Sequence, residues 1–458
     1  MKIVFIILLI FVYFIQAFTL SLAGKPNKQV ILENTIEKEY LQQPEILSLS
    51  KKYRHTIFGI AGIFSVLTLG ITFLNYDSLI MSAFWFFLLT STLTMFLTEI
   101  NYIRKMRDLL AKNSWGMTIQ PVLVDTKLVM QKNQKIVSAW WFLPPILFWL
   151  LGSSFVLYFT PIEGGLILFL VSGLTLVFSI GGWYFVSKLP VRPMTNNREI
   201  NQQANDLTKH HWSFMMITIG WFILPILFIP TMSLLQSVLL ETILTGIIFV
   251  LLTGYLIFTF WYLYSLRIKQ DELLKTATGY RYYGDDEYWR FGFYINPNDT
   301  RFFIPDRIGL NMGINLGRPV GKILAGLTAI LLFGVLLATL IPFYLYDFSD
   351  NAFQLNQTET TVTISAPFTR TITIDLENIR EVTLVDELSA NRQRNFGTAT
   401  DNYATGHFTV EGRPANLYVD YHSQPILFIR TKERDYYYTN KNSAKTIATY
   451  EELTKKLE

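Results

Sequence analysis

The 458-residue sequence contains no cysteine and few charged residues. Without cysteine it forms neither disulfides nor a thiolate nucleophile, and any metal site needs histidine or carboxylate ligands. Charged residues make up 16% of the chain, below the roughly 25% of soluble domains, and hydrophobic residues make up 51%. This balance indicates lipid as the main solvent. The motifs Gly-x-Ser-x-Gly, Walker A and His-Glu-x-x-His are also absent, so common hydrolases, nucleotide-binding enzymes and metalloproteases are disfavoured.

Eight long apolar blocks predict an α-helical polytopic membrane protein, because a membrane-spanning helix needs about 20 apolar residues. The predicted spans are 3–20, 57–74, 79–97, 140–159, 165–186, 213–234, 238–265 and 323–346, within a transmembrane domain that covers 1–348. Tryptophan and tyrosine flank several spans, as is typical of membrane interfaces. Proton and ion pathways usually place ionisable residues inside spans, and here only Glu241 qualifies, near an interface.

Basic residues predict the orientation of these spans. Twenty-six Lys and Arg residues lie in the loops 25–56, 101–137, 188–212 and 267–322, and none lies in the connectors 75–78, 160–164 and 235–237. By the positive-inside rule the four loops are cytoplasmic, which makes the N-terminus and the C-terminal domain extracytoplasmic. In an alternative interpretation, Lys2, the following apolar run and Ser21-Leu22-Ala23 form a cleaved signal peptide, and the later loops are inverted.

The loop 267–322 interleaves aromatic residues with arginine, which suits a position among lipid headgroups. The acidic stretch 285–287 argues against nucleic acid binding. A turn is predicted at 296–299, because proline fixes φ and Asn and Asp side chains cap turns. A structural role at the membrane interface and a ligand or partner site both fit this loop. Its candidate motif residues are Tyr288, Trp289, Asn296, Pro297, Asp299, Arg301, Pro305, Arg307, Arg318 and Pro319.

From about residue 351 the apolar pattern changes to a period of two, which predicts strands. About seven short strands followed by an amphipathic helix at 444–457 predict a small pleckstrin-homology-like (PH-like) β-barrel over 351–458, capped by that helix. The stretch 392–400 is predicted to be a loop, and arginines beside a Gly/Thr turn suit a carboxylate or phosphate. Its candidate ligand or partner contacts are Arg392, Arg394, Asn395, Gly397 and Thr398.

Three parts of the chain resemble known proteins. The Asn-Pro-x-Asp-x-Arg-x-Phe-x-Pro-x-Arg pattern at 296–307 resembles a loop of uncharacterised multi-pass membrane proteins of Gram-positive bacteria, many of them domains of unknown function. The segments 396–398, 406–408 and 415–419 resemble the bacterial PH domain that such proteins carry. The membrane part more distantly resembles SdpI-type proteins, which give immunity to a secreted peptide toxin and signal its presence. The connector 160–165 departs from the longer segment of that group, so no functional residue is carried over.

Together these features favour a non-enzymatic protein of the bacterial cell membrane: a sensor, receptor or toxin-immunity-like protein. Its tail would recognise a peptide, an envelope component or a protein partner. The alternative is a small-molecule or lipid transporter, in which prolines within spans, such as Pro144 and Pro225, break helices along a pathway. Neither cofactor nor metal nor nucleic acid is expected, and the lipid bilayer is an expected partner.

Overall fold

The structure is a computed structural model, and it describes residues 2–457 except 122, 124, 160–161, 192, 223, 236–237, 278, 311 and 370. Within those residues, eight helical segments are long and apolar enough to cross a membrane, as the sequence predicts. Parts of the connectors 160–164 and 235–237 lie outside the described residues. The helices are α1 Lys2–Ser21, α2 Pro44–Thr68, α3 Asp77–Asn113, a short α4 Thr126–Met130, α5 Leu143–Phe159, α6 Ile162–Lys188, α7 Arg198–Phe222, α8 Val238–Lys275 and α9 Pro319–Phe348.

The spanning helices pack in two groups. In the first, α1, α2 and α3 surround a core that includes Leu9, Tyr13 and Ile57, and α9 packs against α3. In the second, α5 to α8 pack together with a 3-10 helix at Leu224–Leu235. The outward side chains are apolar: Leu174, Val250 and Leu331 are 68%, 71% and 67% exposed. Apolar surface of this extent requires lipid around the helices.

Several helices are longer than the predicted spans, and one span is broken. Helix α2 begins at Pro44 and α7 at Arg198, before the predicted spans 57–74 and 213–234. Both α3 and α8 continue beyond the apolar blocks, to Asn113 and Lys275, so their charged ends remain helical outside the lipid. The predicted span 213–234 is not one continuous α-helix. Its α-helix ends at Phe222, and the 3-10 helix that follows contains Pro225. Proline removes a helical hydrogen bond and clashes with the preceding turn, which explains the change.

The two ends of the membrane-spanning helical assembly differ in their content of basic residues. The four loops rich in Lys and Arg lie at one end, which we call the basic end. At the opposite end, the connector end, Lys2 Nζ donates to Thr72 O at 3.2 Å, and the backbone N–H of Ser78 donates to Asp347 Oδ2 at 2.6 Å. Asn402 of the tail donates to Asn75 O at 3.3 Å. The start of α1 and the tail domain therefore share the connector end, opposite the basic loops.

At the basic end the loops contain two short hairpins, β1–β2 and β3–β4. The tail contains a three-stranded sheet, β5–β6–β7, and a six-stranded sheet in the order β8-β12-β13-β11-β10-β9, with β11 and β13 parallel. The strands are β1 Val30–Ile31, β2 Asn34–Thr35, β3 Phe303–Pro305, β4 Met312–Ile314, β5 Gln354–Gln357, β6 Thr361–Ser365, β7 Ile372–Asp375, β8 Ile379–Val385, β9 Arg392–Ala399, β10 Tyr403–Val410, β11 Arg413–Asp420, β12 Ile426–Thr431 and β13 Asp435–Tyr438.

The two tail sheets share one core, in which Val362 and Ile364 of one sheet meet Leu427 and Ile429 of the other. The final helix, α10 Ser443–Leu457, packs on β8 and β12 and buries Leu453. This arrangement confirms a PH-like sheet domain that ends in a helix. The predicted closure into a barrel is not seen, since among the described residues no strand pair joins the two sheets.

We predict that the tail and the basic loops are labelled from opposite sides of the membrane. Because the chain has no native cysteine, Ser389→Cys in the tail and Ala111→Cys at the basic end of α3 each provide a single thiol. In intact cells, an impermeant thiol reagent is expected to label the tail variant, and to label the α3 variant only after lysis. Labelling of both in intact cells would contradict the arrangement, and the reverse pattern would place the tail in the cytoplasm.

Candidate functional site in the basic-end layer

The basic loops fold together into a layer that lies on the ends of the helices. Gln120 N donates to Tyr282 O at 2.9 Å, and Arg281 N donates to Met194 O at 2.8 Å. Thr35 donates its N–H and its hydroxyl to the two carboxylate oxygens of Asp286, at 2.8 and 2.7 Å. Segments far apart in sequence are therefore hydrogen-bonded to one another. We call residues 25–43, 114–138, 189–197 and 276–318 the basic-end layer.

Asn315 holds the longest loop of this layer in place. Its side chain is fully buried and accepts from Asn296 N at 3.0 Å and Gly317 N at 2.9 Å. Its amide donates to the carbonyl oxygens of Asn296, Asp299 and Arg301, at 2.8, 3.2 and 3.4 Å. One side-chain amide thus satisfies five backbone groups, which closes the loop 296–317 on itself.

Asp299 and Arg301 form an ion pair two residues apart. Arg301 Nε and Nη2 donate to Asp299 Oδ2 at 2.8 and 2.5 Å. Burial alone would raise the pKa of the Asp299 carboxyl, but the hydrogen bonds from Arg301 outweigh it and hold that pKa at about 2. Tyr294 donates its hydroxyl to Asp299 Oδ2 at 2.8 Å, and burial raises the pKa of Tyr294 to about 12. The motif residues therefore stabilise the loop as a charged, hydrogen-bonded unit.

Arg307 joins this loop to the hairpin β1–β2. Its Nη1 donates to Asp286 Oδ1 at 2.6 Å and to Glu33 O at 2.7 Å. Burial lowers the pKa of the Arg307 guanidinium, but the Asp286 and Glu33 carboxylates outweigh burial, and the net shift is upward. The carboxyl of Glu33 is almost fully buried, and burial raises its pKa well above the ordinary value despite Arg307. Two carboxyl groups therefore face one guanidinium inside the layer.

The remaining motif residues have structural roles, in the packing of the loop and at the start of α9. Trp289 is buried against Tyr294 and Ile304, and Tyr288 packs at the edge of this cluster. Pro305 ends β3. Arg318 precedes α9 and Pro319 occupies its first turn, where a missing N–H has no helical partner to lose. Pro297 is exposed in the predicted turn at 296–299, where Asp299 N donates to Asn296 O at 3.4 Å.

A cavity of about 250 Å³ lies inside the basic-end layer. The basic ends of α7 and α8 form one wall, with Lys209, Trp212 and Gln270, and the loop 280–309 forms another. Lys209 is fully buried and donates to three carbonyls at the end of α6, those of Val186, Ser187 and Leu189, so it stabilises that helix end. The motif residues Arg301, Pro305 and Arg307 also line the cavity.

A strained turn at residues 27–30 completes the cavity wall. Asn27 and Val30 exchange backbone hydrogen bonds at 3.0 and 2.9 Å, and between them Lys28 and Gln29 both have positive φ, 52° and 65°. The two-residue turn of the hairpin β1–β2, Leu32-Glu33, repeats this conformation with φ of 47° and 59°. Such turns favour Asn and Gly, so Lys-Gln and Leu-Glu adopt them under strain.

Lys28 lines the cavity, and its ammonium group has no hydrogen-bond acceptor among the described residues. Burial lowers the pKa of Lys28 to about 8, although Asp306 and Asp271 lie near enough to oppose the shift. Its backbone N–H donates to Asp271 Oδ1 at 3.3 Å. Lysine in a Lys-Gln dipeptide carries no sequence signal for a turn, so sequence reasoning missed Lys28.

The candidate contacts in the tail lie on a strand, so the predicted loop at 392–400 is wrong. Strand β9 is an edge strand with an irregularity opposite His407 and Phe408, and Gly397, at φ 131°, closely approaches the backbone of Thr405. Arg392 donates to Ser389 O at 3.0 Å, and Asn395 donates to Thr409 Oγ1 at 3.0 Å.

The remaining three candidates sit beside these on the same strand, where Arg394 and Gly397 are exposed and Thr398 is half-buried. The irregularity in β9 interrupts the usual alternation of strand side chains between the two faces, and a shared ligand for the five residues stays a prediction. Within the described part of the chain, no group of three His, Asp or Glu residues is arranged to hold a metal ion.

Comparison with known proteins bears on the tail. The family model of the bacterial PH domain matches residues 354–453, which agrees with the two sheets and final helix described above. Neither the curated proteins nor the solved structures contain a match to this chain. The chain is thus a membrane-spanning helical protein with a bacterial PH domain at its connector end. The resemblances to the Gram-positive loop and to SdpI-type proteins stay predictions.

Replacing Asn315 is predicted to destabilise the basic-end layer. Asn315→Ala leaves several buried backbone groups without partners, which lowers the free energy of unfolding by about 2–4 kcal/mol. Thermal unfolding of the purified protein measures this loss. The matched control is Asn298→Ala, because Asn298 is exposed in the same loop. Equal stability of the two variants would show that the Asn315 network contributes nothing.

Lys28→Met is predicted to stabilise the protein near neutral pH. The pKa of Lys28 is about 8 in the folded protein and about 10.5 when unperturbed. Burying the charged form therefore costs the folded state most below pH 8, and this cost disappears as pH rises to about 10.5. The unfolding midpoint of Lys28→Met should exceed wild type at pH 7, with a gain that shrinks above pH 8. Lys112→Met, at an exposed position, is the control. A gain in stability that does not change with pH would contradict the lowered pKa of Lys28.

Proposed function

We propose that this protein is a non-enzymatic receptor or sensor of the cell membrane. In this proposal the PH domain recognises a peptide, an envelope component or a protein partner outside the cell, and α9 transmits binding to the basic-end layer. The observation that supports it is the position of Phe343 and Tyr346, two residues of a membrane-spanning helix that belong to the core of the PH domain.

The contact between α9 and the PH domain is extensive. Tyr346 is 3% exposed, and its ring lies 4.7 Å from the ring of Tyr403 and 5.7 Å from that of Phe353. Its hydroxyl donates to Pro367 O at 2.5 Å. Phe343, one turn earlier, packs against Tyr403 at 6.4 Å. A shift of the tail core would therefore move the end of α9.

The other end of α9 is fixed in the basic-end layer. Pro319 begins the helix immediately after the Asn315 loop, and Gly321 lies against the backbone of Asn315 so closely that a side chain there would clash. Between its ends, α9 contacts α3 through the bonds from Trp85 Nε1 to Thr339 Oγ1 at 2.9 Å and between the Ser82 and Tyr344 hydroxyls at 3.1 Å. The apolar middle part of α9 otherwise faces lipid, so few contacts oppose its movement.

A polar contact holds the PH domain on the connector end. Asp347 accepts from Ser78 N at 2.6 Å through its carboxylate, and its carbonyl accepts from Lys441 Nζ at 2.9 Å. One residue therefore links the start of α3, the end of α9 and the tail. The segregation of basic residues supports an extracytoplasmic position for this assembly, and a toxin-immunity role is one form that such recognition would take.

A second candidate function, transport of a small molecule or lipid, has one observation in its favour. The span that begins with α7 changes to a 3-10 helix at Leu224, and helices broken within the membrane often form transport sites. The described spans, however, contain few ionisable residues, and the receptor proposal accounts for the PH domain as well.

We predict that loosening the contact between the ends of α3 and α9 at the connector end changes the basic-end layer. Asp347→Ala in the full-length protein in lipid nanodiscs should increase hydrogen exchange at 77–82, next to the lost bond, and also at 296–318 across the membrane. Asp350→Ala, at an exposed position three residues further along, should change neither segment. Faster exchange at 77–82 alone would refute transmission through α9.

Deletion of residues 351–458 separates the two functions genetically. If the protein is a receptor, the deletion should reproduce the phenotype of losing the whole protein, whereas Pro225→Ala should complement it. Complementation by the tail-deleted chain, together with failure of Pro225→Ala, would support transport. Membrane levels of each variant, measured with an epitope tag, control for loss of folding.

A further inference from the structure

The cavity in the basic-end layer has features of a ligand site that the PH domain does not explain. Its volume of about 250 Å³ is somewhat below the 300–1,000 Å³ of pockets for drug-sized ligands, so it suits a small polar molecule. Polar loops and the interfacial residue Trp212 line it, which places it at the level of lipid headgroups.

Cations dominate the lining of this cavity. Five basic residues and two acidic residues line it. Three of the basic residues have partners within the protein: Lys209 binds the α6 carbonyls, Arg301 binds Asp299 and Arg307 binds Asp286. The remaining two are Lys28 and Arg281, and Arg281 donates only to the neutral oxygens of Asn196 and Pro121 among the described residues.

The cost of placing Lys28 in this wall argues for a role beyond folding. A positive φ is unfavourable for lysine, and the partial burial of its side chain adds to that cost. Asparagine or glycine would relieve both costs. Tyr280 also lines the cavity, and its hydroxyl makes no hydrogen bond with the described residues, so it is a second available donor.

We propose that this cavity binds the phosphate group of a small phosphomonoester. Lys28 donates to the phosphate, Tyr280 supplies a hydroxyl donor, and Arg281 contributes its remaining guanidinium N–H groups. Phosphate has several acceptor oxygens, which matches donors that approach from the turn 27–30 and from the loop 280–309. The phosphate belongs either to a lipid headgroup that enters from the membrane interface or to a soluble metabolite.

Ligand-dependent stability of the full-length protein tests this proposal. In detergent without phospholipid, glycerol 3-phosphate should raise the unfolding midpoint in a saturable way, above sodium chloride at equal ionic strength. Lys28→Met should weaken the apparent affinity about tenfold or more, since a charge-assisted hydrogen bond is lost. Because this variant is expected to be more stable than wild type without ligand at pH 7, loss of protection is not loss of folding. Lys112→Met should respond as wild type does.

Nanodiscs distinguish the two sources of phosphate. Protection by phosphatidic acid in a phosphatidylcholine nanodisc, without protection by glycerol 3-phosphate, assigns the site to a lipid headgroup, and protection by the soluble probe assigns it to a metabolite. In both cases Lys28→Met should weaken the protection by about tenfold or more in apparent affinity. Equal protection of wild type and Lys28→Met, or no protection by either probe, would overturn the proposal.

Discussion

Two buried arginines hold the basic end of the molecule together. Arg267 Nη2 donates to the carbonyls of Leu22 and Lys25, both at 2.9 Å, and its Nη1 donates to Ile308 O at 2.5 Å. Arg307 donates to Asp286 and to the carbonyl of Glu33. A buried guanidinium is stable only while its N–H groups are satisfied, so these segments are fixed together. Arg307 also lines the cavity, so the cavity wall depends on this network.

The two ends of α9 are held by different physical interactions. At the connector end, aromatic packing of Tyr346 against Tyr403 and Phe353 makes the helix part of the PH-domain core. At the basic end, the backbone bonds of Asn315 and the close approach of Gly321 set where the helix begins. Apolar packing tolerates small shifts, whereas a buried amide with five bonds does not. Motion that originates in the tail would therefore reach the basic-end layer as strain on the Asn315 loop.

Composition alone predicts the membrane spans, because about 20 apolar residues in a row have no other stable environment. Alternation likewise predicts strands such as β6 in the tail. Strand β9 escapes prediction because Arg392–Ala399 is polar and contains Gly397, the features of a loop, and only pairing with β10 makes it a strand. The motif 296–307 is recognisable in sequence, but its partners Asn315, Asp286 and Glu33 are set by tertiary contacts. The cavity lies beyond sequence reasoning, since the two central positions of the turn 27–30, Lys28 and Gln29, are neither glycine nor asparagine.

The turns at Lys28-Gln29 and Leu32-Glu33 show how the layer sustains strain. Their positive φ values are maintained by bonds on both sides, including Leu32 N to Ala23 O at 2.8 Å and Ile36 N to Gln29 O at 2.9 Å. Burial lowers the pKa of Lys28 and raises the pKa of Glu33, so neither charged side chain stabilises the fold. The Glu33 carboxylate lies 3.9 Å from Arg307 Nε, whereas no ion pair of comparable length joins Lys28 to a carboxylate among the described residues. A residue that is strained, partly desolvated and part of a cavity wall is better explained by a ligand than by the fold.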